Sequence, residues 1–187
     1  MRHLLFSLLM GILLLSGCAG AEKGPDGTVR DLAGSTYEGD TVRLADFQAR
    51  KMPVALIFFQ TWCESCKEEA PHLVEAAKQY EGRLAFLGVH PGTDVGDDEV
   101  TKTKEAWRLP YPIVRDPDLA WVNAFGIRGV PTIVILDETG RTRFTGHKVP
   151  PSLDRYARKE ALPAAAAPDT TGGVCEDGVC PLPVPSE

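Results

Sequence analysis

The run Val54-Ala-Leu-Ile-Phe-Phe59 is apolar without alternation, the pattern of a central strand covered on both faces. The period then changes. Ala70, Leu73, Val74 and Ala77 fall at helical spacing, with Lys67, Glu68, Glu75 and Lys78 on the other side, which predicts a helix over residues 66–80. Pro71 lies inside it and should bend it, because proline lacks an N–H and crowds the carbonyl four residues back. A second apolar run, Leu84 to Val89, predicts another buried strand, so that strand, helix and strand make a right-handed βαβ unit with a parallel pair.

Farther on, the pattern predicts a polar helix over 97–107, an extended stretch over 111–114 and a short helix over 118–125 closed by Gly126. Segments 132–136 and 141–145 flank Asp137-Glu-Thr-Gly140, a hairpin signal that makes the sheet mixed. Before the core, Thr28-Val-Arg30 and Thr41-Val-Arg-Leu44 predict a small N-terminal hairpin, and Pro151 with Ser152 predicts a last helix to about Ala161. The class is α/β.

The 187 residues, 43% hydrophobic and 25% charged, suit one globular domain. Met1-Arg-His3, an apolar run Leu4 to Leu15 and Ser16-Gly17 have the layout of an export signal over 1–17. That run is shorter than the ~20 residues a spanning helix needs. Leu15-Ser-Gly-Cys18 is similar to the bacterial lipobox, and the similarity implies that Cys18 carries a lipid anchor. Residues 18–27 then read as a lipidated tether. Ala19 after the cysteine leans towards the outer membrane. Removing 1–17 takes away only Arg2 among the charged residues and moves the net charge from −6 to −7. So acidic a body argues against nucleic-acid binding.

Cysteine parity carries the chemistry. Setting Cys18 aside, the remaining four fall as two close pairs, Cys63/Cys66 and Cys175/Cys180, in a compartment where disulfides persist. Thr61-Trp-Cys-Glu-Ser-Cys66 stands between the buried strand and the helix. Cys63 therefore falls at a helix N-terminus, where unpaired N–H groups and the helix dipole favour a thiolate. Cys66, one turn in, is placed to resolve a mixed disulfide. Glu69 lies three residues after Cys66 on the same helix face, where a carboxyl can relay protons to a buried sulfur. Glu64 beside Cys63 should favour the disulfide and make the couple more reducing.

Trp62-Cys-Glu-Ser-Cys-Lys-Glu-Glu-Ala-Pro71, followed by Gly129-Val-Pro-Thr132 before a strand and hairpin, resembles the TlpA/ResA-like branch of the thioredoxin superfamily. The likeness covers residues 28–162, including Asp31-Leu-x-Gly34 and Leu44-x-Asp46. It implies a thioredoxin-like three-layer fold, a mixed central sheet with helices on both faces and an N-terminal hairpin. It also implies an anchored, extracytoplasmic thiol–disulfide oxidoreductase that reduces protein disulfides, as in cytochrome c maturation. A membrane thiol transporter would be its electron donor, and no cofactor or metal is implied. By the same likeness Pro131 is cis beside the active pair, Val130 offers backbone to a bound peptide, Trp62 flanks the substrate and Glu69 is functional. Ser65 departs from the proline of many relatives, and Ile57 stands where cytoplasmic thioredoxins have a buried aspartate.

Three points stay open on the residues alone. His90 and His147 follow strands and read as surface or capping histidines, though either could approach the site. The Ala/Pro-rich tail 163–187 carries Cys175 and Cys180 around Gly178, which read as a local disulfide, a relay to Cys63 or a soft-metal site. A copper chaperone using that pair and a thiol peroxidase are the alternative functions, and the Thr/Ser-x-x-Cys pattern of peroxidases is absent at Cys63.

Overall fold

The computed structural model describes residues 32–162. The chain forms β1 (Ala33–Ser35), β2 (Thr41–Arg43), α1 (Leu44–Ala49), β3 (Val54–Phe58), α2 (Glu64–Gln79) and β4 (Ala85–Pro91). It continues with α3 (Asp97–Trp107), β5 (Ile113–Asp116), α4 (Ala120–Phe125), β6 (Thr132–Leu136) and β7 (Thr142–Gly146). Five strands make one mixed sheet in the order β5-β4-β3-β6-β7. β3 is central, parallel to β4 and antiparallel to β6.

The unbroken apolar run of β3 has its reason here. Ala55, Ile57 and Phe59 enter the core beneath α2 and α3, while Val54, Leu56 and Phe58 enter the core beneath α1 and α4. With a helical layer on each face, neither side of the strand meets water, so period-two alternation has no advantage. Packing at Gly88 of β4 is tight: a Cβ there would stand 3.2 Å from the Phe59 ring and 3.1 Å from the Ile113 side chain, which would have to give by a few tenths of an ångström.

Several expectations need correcting. The hairpin forms, but its first strand is Ala33–Ser35, and Thr28–Arg30 lies outside the described residues. Leu44 opens α1 rather than ending a strand. It is 1% exposed in the lower core, a tertiary contact that a four-residue pattern cannot announce. α2 begins two residues earlier than the periodicity indicated and runs through Pro71 as one element.

The last helix does not form. Only Tyr156 and Ala157 donate backward, both to the Leu153 carbonyl, whereas the Arg158 and Leu162 amides donate to Arg83 and Gly82. Leu153 is buried, and its N–H donates to the Tyr80 hydroxyl at 3.1 Å. These bonds to the loop after α2 replace the helical ladder. The boundaries at 1–17, 18–27 and 163–187 fall outside the described residues.

Candidate active site

Cys63 is the N-cap of α2, with extended backbone (φ −84°, ψ 105°). Its carbonyl accepts the Cys66 and Lys67 amides, each at 3.1 Å, and its Sγ accepts the Cys66 N–H at 3.2 Å. The Cys66 N–H is thus shared between the carbonyl and the sulfur of the N-cap residue, a three-centre bond of the kind common at helix termini. One helical turn brings Cys66 back beneath Cys63, and the two are joined in a disulfide. Both cysteines are buried, Cys66 the more so (3% against 6% exposed). Ser65 Oγ stands 3.5 Å from Cys63 Sγ.

Glu64 turns outward and pairs with Lys67 at 3.4 Å, both side chains mostly solvent-exposed. Exposed pairs of this kind are worth about 0–1 kcal/mol. The loop before Cys63 is tied to the far side of the site. The Thr61 hydroxyl donates to Glu99 of α3, and Trp62 Nε1–H donates to Asp94 at 3.3 Å, leaving the indole 66% exposed at the rim.

The Val130–Pro131 bond is cis. Buried Pro131 and Cys66 line the same small apolar hollow, with Ile57 and Phe59 at its back. His147 Nδ1 lies 2.7 Å from the Pro131 carbonyl. A carbonyl only accepts, so this nitrogen carries a proton. Of the two readings left open for His147, it is exposed and it also reaches the site.

Glu69 is buried at 7% exposure, and its Oε1 accepts the Val149 N–H at 2.7 Å. It lines a cavity of about 450 Å³ with Ser65, Val130, Pro131 and His147. The strap 147–149 therefore ties the proline loop to α2, through His147 at one end and Glu69 at the other. Sequence reasoning missed this strap, and no local signal marks it, since Val149 takes part only through its backbone.

His90 is corrected more sharply: it is neither a surface nor a capping residue, being fully buried on β4. Its Nδ1 is 3.2 Å from the Tyr37 hydroxyl, and Nε2 has no partner among the described residues. Burial pushes its pKa down, against weaker upward pulls from Asp94 and Glu99. The folded state thus holds the ring neutral where an unfolded chain, with a pKa of about 6.5, would take up a proton. More protons bound to the unfolded state means that stability falls as pH drops through about 6.5. We expect the urea midpoint to fall between pH 7 and pH 5, and His90→Phe to flatten that slope. An equal slope in the variant would show that another group controls it.

Among the described residues no group of three His, Cys, Asp or Glu is placed to hold a metal, and no helix is long and apolar enough to cross a membrane. Cys18, Cys175 and Cys180 lie outside the described residues.

A central strand delivering a cysteine pair to the first turn of the next helix, opposite a cis-proline loop, is the arrangement of thioredoxin-like proteins, and comparison of structures agrees. A thioredoxin-family thiol:disulfide interchange protein from Chlorobium tepidum TLS superposes with a TM-score of 0.59 at 22% identity, over 69% of this chain and 92% of its own. The exposed lipoprotein thioredoxin Etrx1 of Streptococcus pneumoniae strain TIGR4 gives 0.54 at 24% identity, over 64% and 90%.

The chain belongs to the AhpC/TSA family, whose model matches residues 22–145. Among curated relatives, the thiol-disulfide oxidoreductase ResA of Geobacillus thermodenitrificans is 32% identical over 117 residues, or 62% of this chain. The match spans 65% of that relative, just under two thirds of its length.

Proposed function

We propose that the protein is a protein-disulfide reductase working outside the cytoplasm. The observation that carries this reading is the Cys63 sulfur at the α2 N-cap, accepting the Cys66 amide beside the Val130–Pro131 loop. The thiolate of reduced Cys63 attacks one sulfur of a substrate disulfide, and the other sulfur leaves as a thiolate and takes a proton. Cys66 then attacks Cys63, which closes the Cys63–Cys66 disulfide and releases the second substrate thiol. Two electrons and two protons have passed to the substrate. Glu69 moves the proton at Cys66, Trp62 flanks the incoming chain, and the Val130 backbone pairs with it in an extended conformation.

Cys18 anchors the chain by lipid to the periplasmic side of a bacterial membrane, the outer one by the residue after it, and a membrane thiol transporter returns the electrons. The name of the Geobacillus relative supports the chemistry, and the lipoprotein description of the pneumococcal neighbour supports the anchor. An apocytochrome c or a comparable exported protein with a cysteine pair is the substrate class.

The test is to trap substrates in the native cell. Cys66→Ser, which cannot resolve the mixed disulfide, should accumulate covalent adducts with exported cysteine proteins in the membrane fraction. Adding Cys18→Ser should move the adducts to the soluble extract, and adding Cys63→Ser should remove them. Adducts confined to cytoplasmic proteins would overturn the location; none at all would overturn the activity.

A further inference from the structure

We propose that the pair Cys175/Cys180 is an intramolecular electron relay that docks along α2 and exchanges disulfides with Cys63–Cys66. The proposal rests on the reductase reading and adds to it the immediate donor.

The structure supplies a path. A groove runs along one side of α2 in two confluent halves of about 450 and 330 Å³, with Glu69, His72 and Lys148 lining both. One end is Ser65 and Pro131, at the Cys63 sulfur. The other is Gln79, Tyr80 and Leu153. The last described residue is held two residues past Tyr80: Leu162 donates its amide to Gly82 at 2.8 Å, and Arg83 bonds Asp154 at 3.2 Å and the Arg158 carbonyl at 2.8 Å. The chain therefore continues from beside Gly82, two residues past the Tyr80 end of a groove whose other end is lined by Ser65, 3.5 Å from Cys63 Sγ.

The lengths agree. α2 has 16 residues, and at 1.5 Å per residue the groove's ends are about 24 Å apart. From Leu162 to Cys175 there are 13 residues, which span about 20 Å as a flexible chain and about 43 Å when extended. The required distance lies between these limits, where an attached group has an effective concentration in the millimolar range. From Leu162 to Pro168 the links are leucine, proline and alanine, with no charge to desolvate against the apolar wall of Ala76, Val149 and Leu153. A chain that leaves at this point and has this length is a better occupant than a free peptide, which would lose translational freedom on binding.

The exchange balances. A tail thiolate attacks Cys63 Sγ, the S–S bond to Cys66 breaks, and Cys66 leaves as a thiolate and is protonated. The second tail thiolate attacks the tail sulfur of the mixed disulfide and expels Cys63, whose thiolate accepts the Cys66 N–H. The site gains two electrons, taken from the two tail thiolates, and one proton, at Cys66, while Cys63 is left as the thiolate; the tail becomes a disulfide. An external dithiol then reduces the tail.

The experiment uses the full chain carrying Cys66→Ser, prepared with the tail pair oxidised, and peptide mapping without reductant. We expect a cross-link from Cys63 to Cys175 or Cys180 within one chain, at a rate independent of protein concentration over about a hundredfold range. Cross-links only between chains, or none, would overturn the relay. In parallel, Cys175→Ser/Cys180→Ser should keep dithiothreitol-driven insulin reduction yet be recharged by reduced thioredoxin at least about tenfold more slowly. Equal recharging would also overturn the relay. Loss of insulin reduction in the wild-type chain would instead count against the reductase reading, so the two failures are distinguishable.

Discussion

Cys63→Ser should abolish dithiothreitol-driven reduction of insulin disulfides, while folding stability in the reduced state stays within about 1 kcal/mol of the parent. The sulfur makes and breaks every covalent bond of the cycle, and removing a covalent nucleophile costs several orders of magnitude, so a loss of roughly a thousandfold or more is expected. The hydroxyl can still accept the Cys66 amide as an N-cap, which is why the helix should survive. Glu69→Gln is the informative companion. A glutamine oxygen can take the place of Oε1 at the Val149 N–H, keeping the strap closed while removing the group that carries a proton. A fall of about 10²-fold in kcat at unchanged KM and stability is expected of a lost proton relay. If Glu69→Gln is fully active but Glu69→Leu is not, the carboxylate holds the strap and does nothing to the proton. Full turnover by Cys63→Ser would end the catalytic assignment altogether.

Phe59→Ala should be the most destabilising substitution next to the site, at about 3–5 kcal/mol by the usual cost of truncating a buried aromatic ring. Phe59 is 2% exposed. Its ring meets the edge of His90 at 5.6 Å and the Trp107 ring at 5.8 Å, and it covers the position where Gly88 has no side chain. A domain of this size has about 5–15 kcal/mol in total, so the loss is a large share. Chemical unfolding of the oxidised protein checks it. A cost below about 1 kcal/mol would mean that the layer formed by α3 closes over the vacancy. Because the strand passes from Phe59 directly into the Gln60–Cys63 turn, we also expect slower reduction by Phe59→Ala at temperatures where it is still folded.

The readings that survived from the sequence are the ones with a local cause. β3 and β6 were legible because strands covered on both sides are continuously apolar, and α3 because its polar character and length leave no other element. The cysteine pair was legible because three-residue spacing across a strand-to-helix junction has one natural geometry. The expected last helix failed because local pattern cannot see that Arg83 and Gly82 offer carbonyls to residues 158 and 162. His90 failed for a related reason: a histidine after a buried run looks like the end of a strand until Tyr37, 53 residues away in sequence, folds over it.

By itself, then, the sequence determined the α/β class, the central strand, and the placement of Cys63 at a helix start and Cys66 one turn in. Each depends on residues a few positions apart, for which spacing and chemistry suffice. Only the tertiary structure decided that Glu69 is held by the Val149 amide and that His147 holds the Pro131 carbonyl. It also decided that Leu162 is held on Gly82, two residues past the Tyr80 end of a groove that runs towards Ser65. Those are contacts between segments up to 80 residues apart, and they exist because the fold brings the strap after β7 against α2, a neighbourhood that no window of sequence contains.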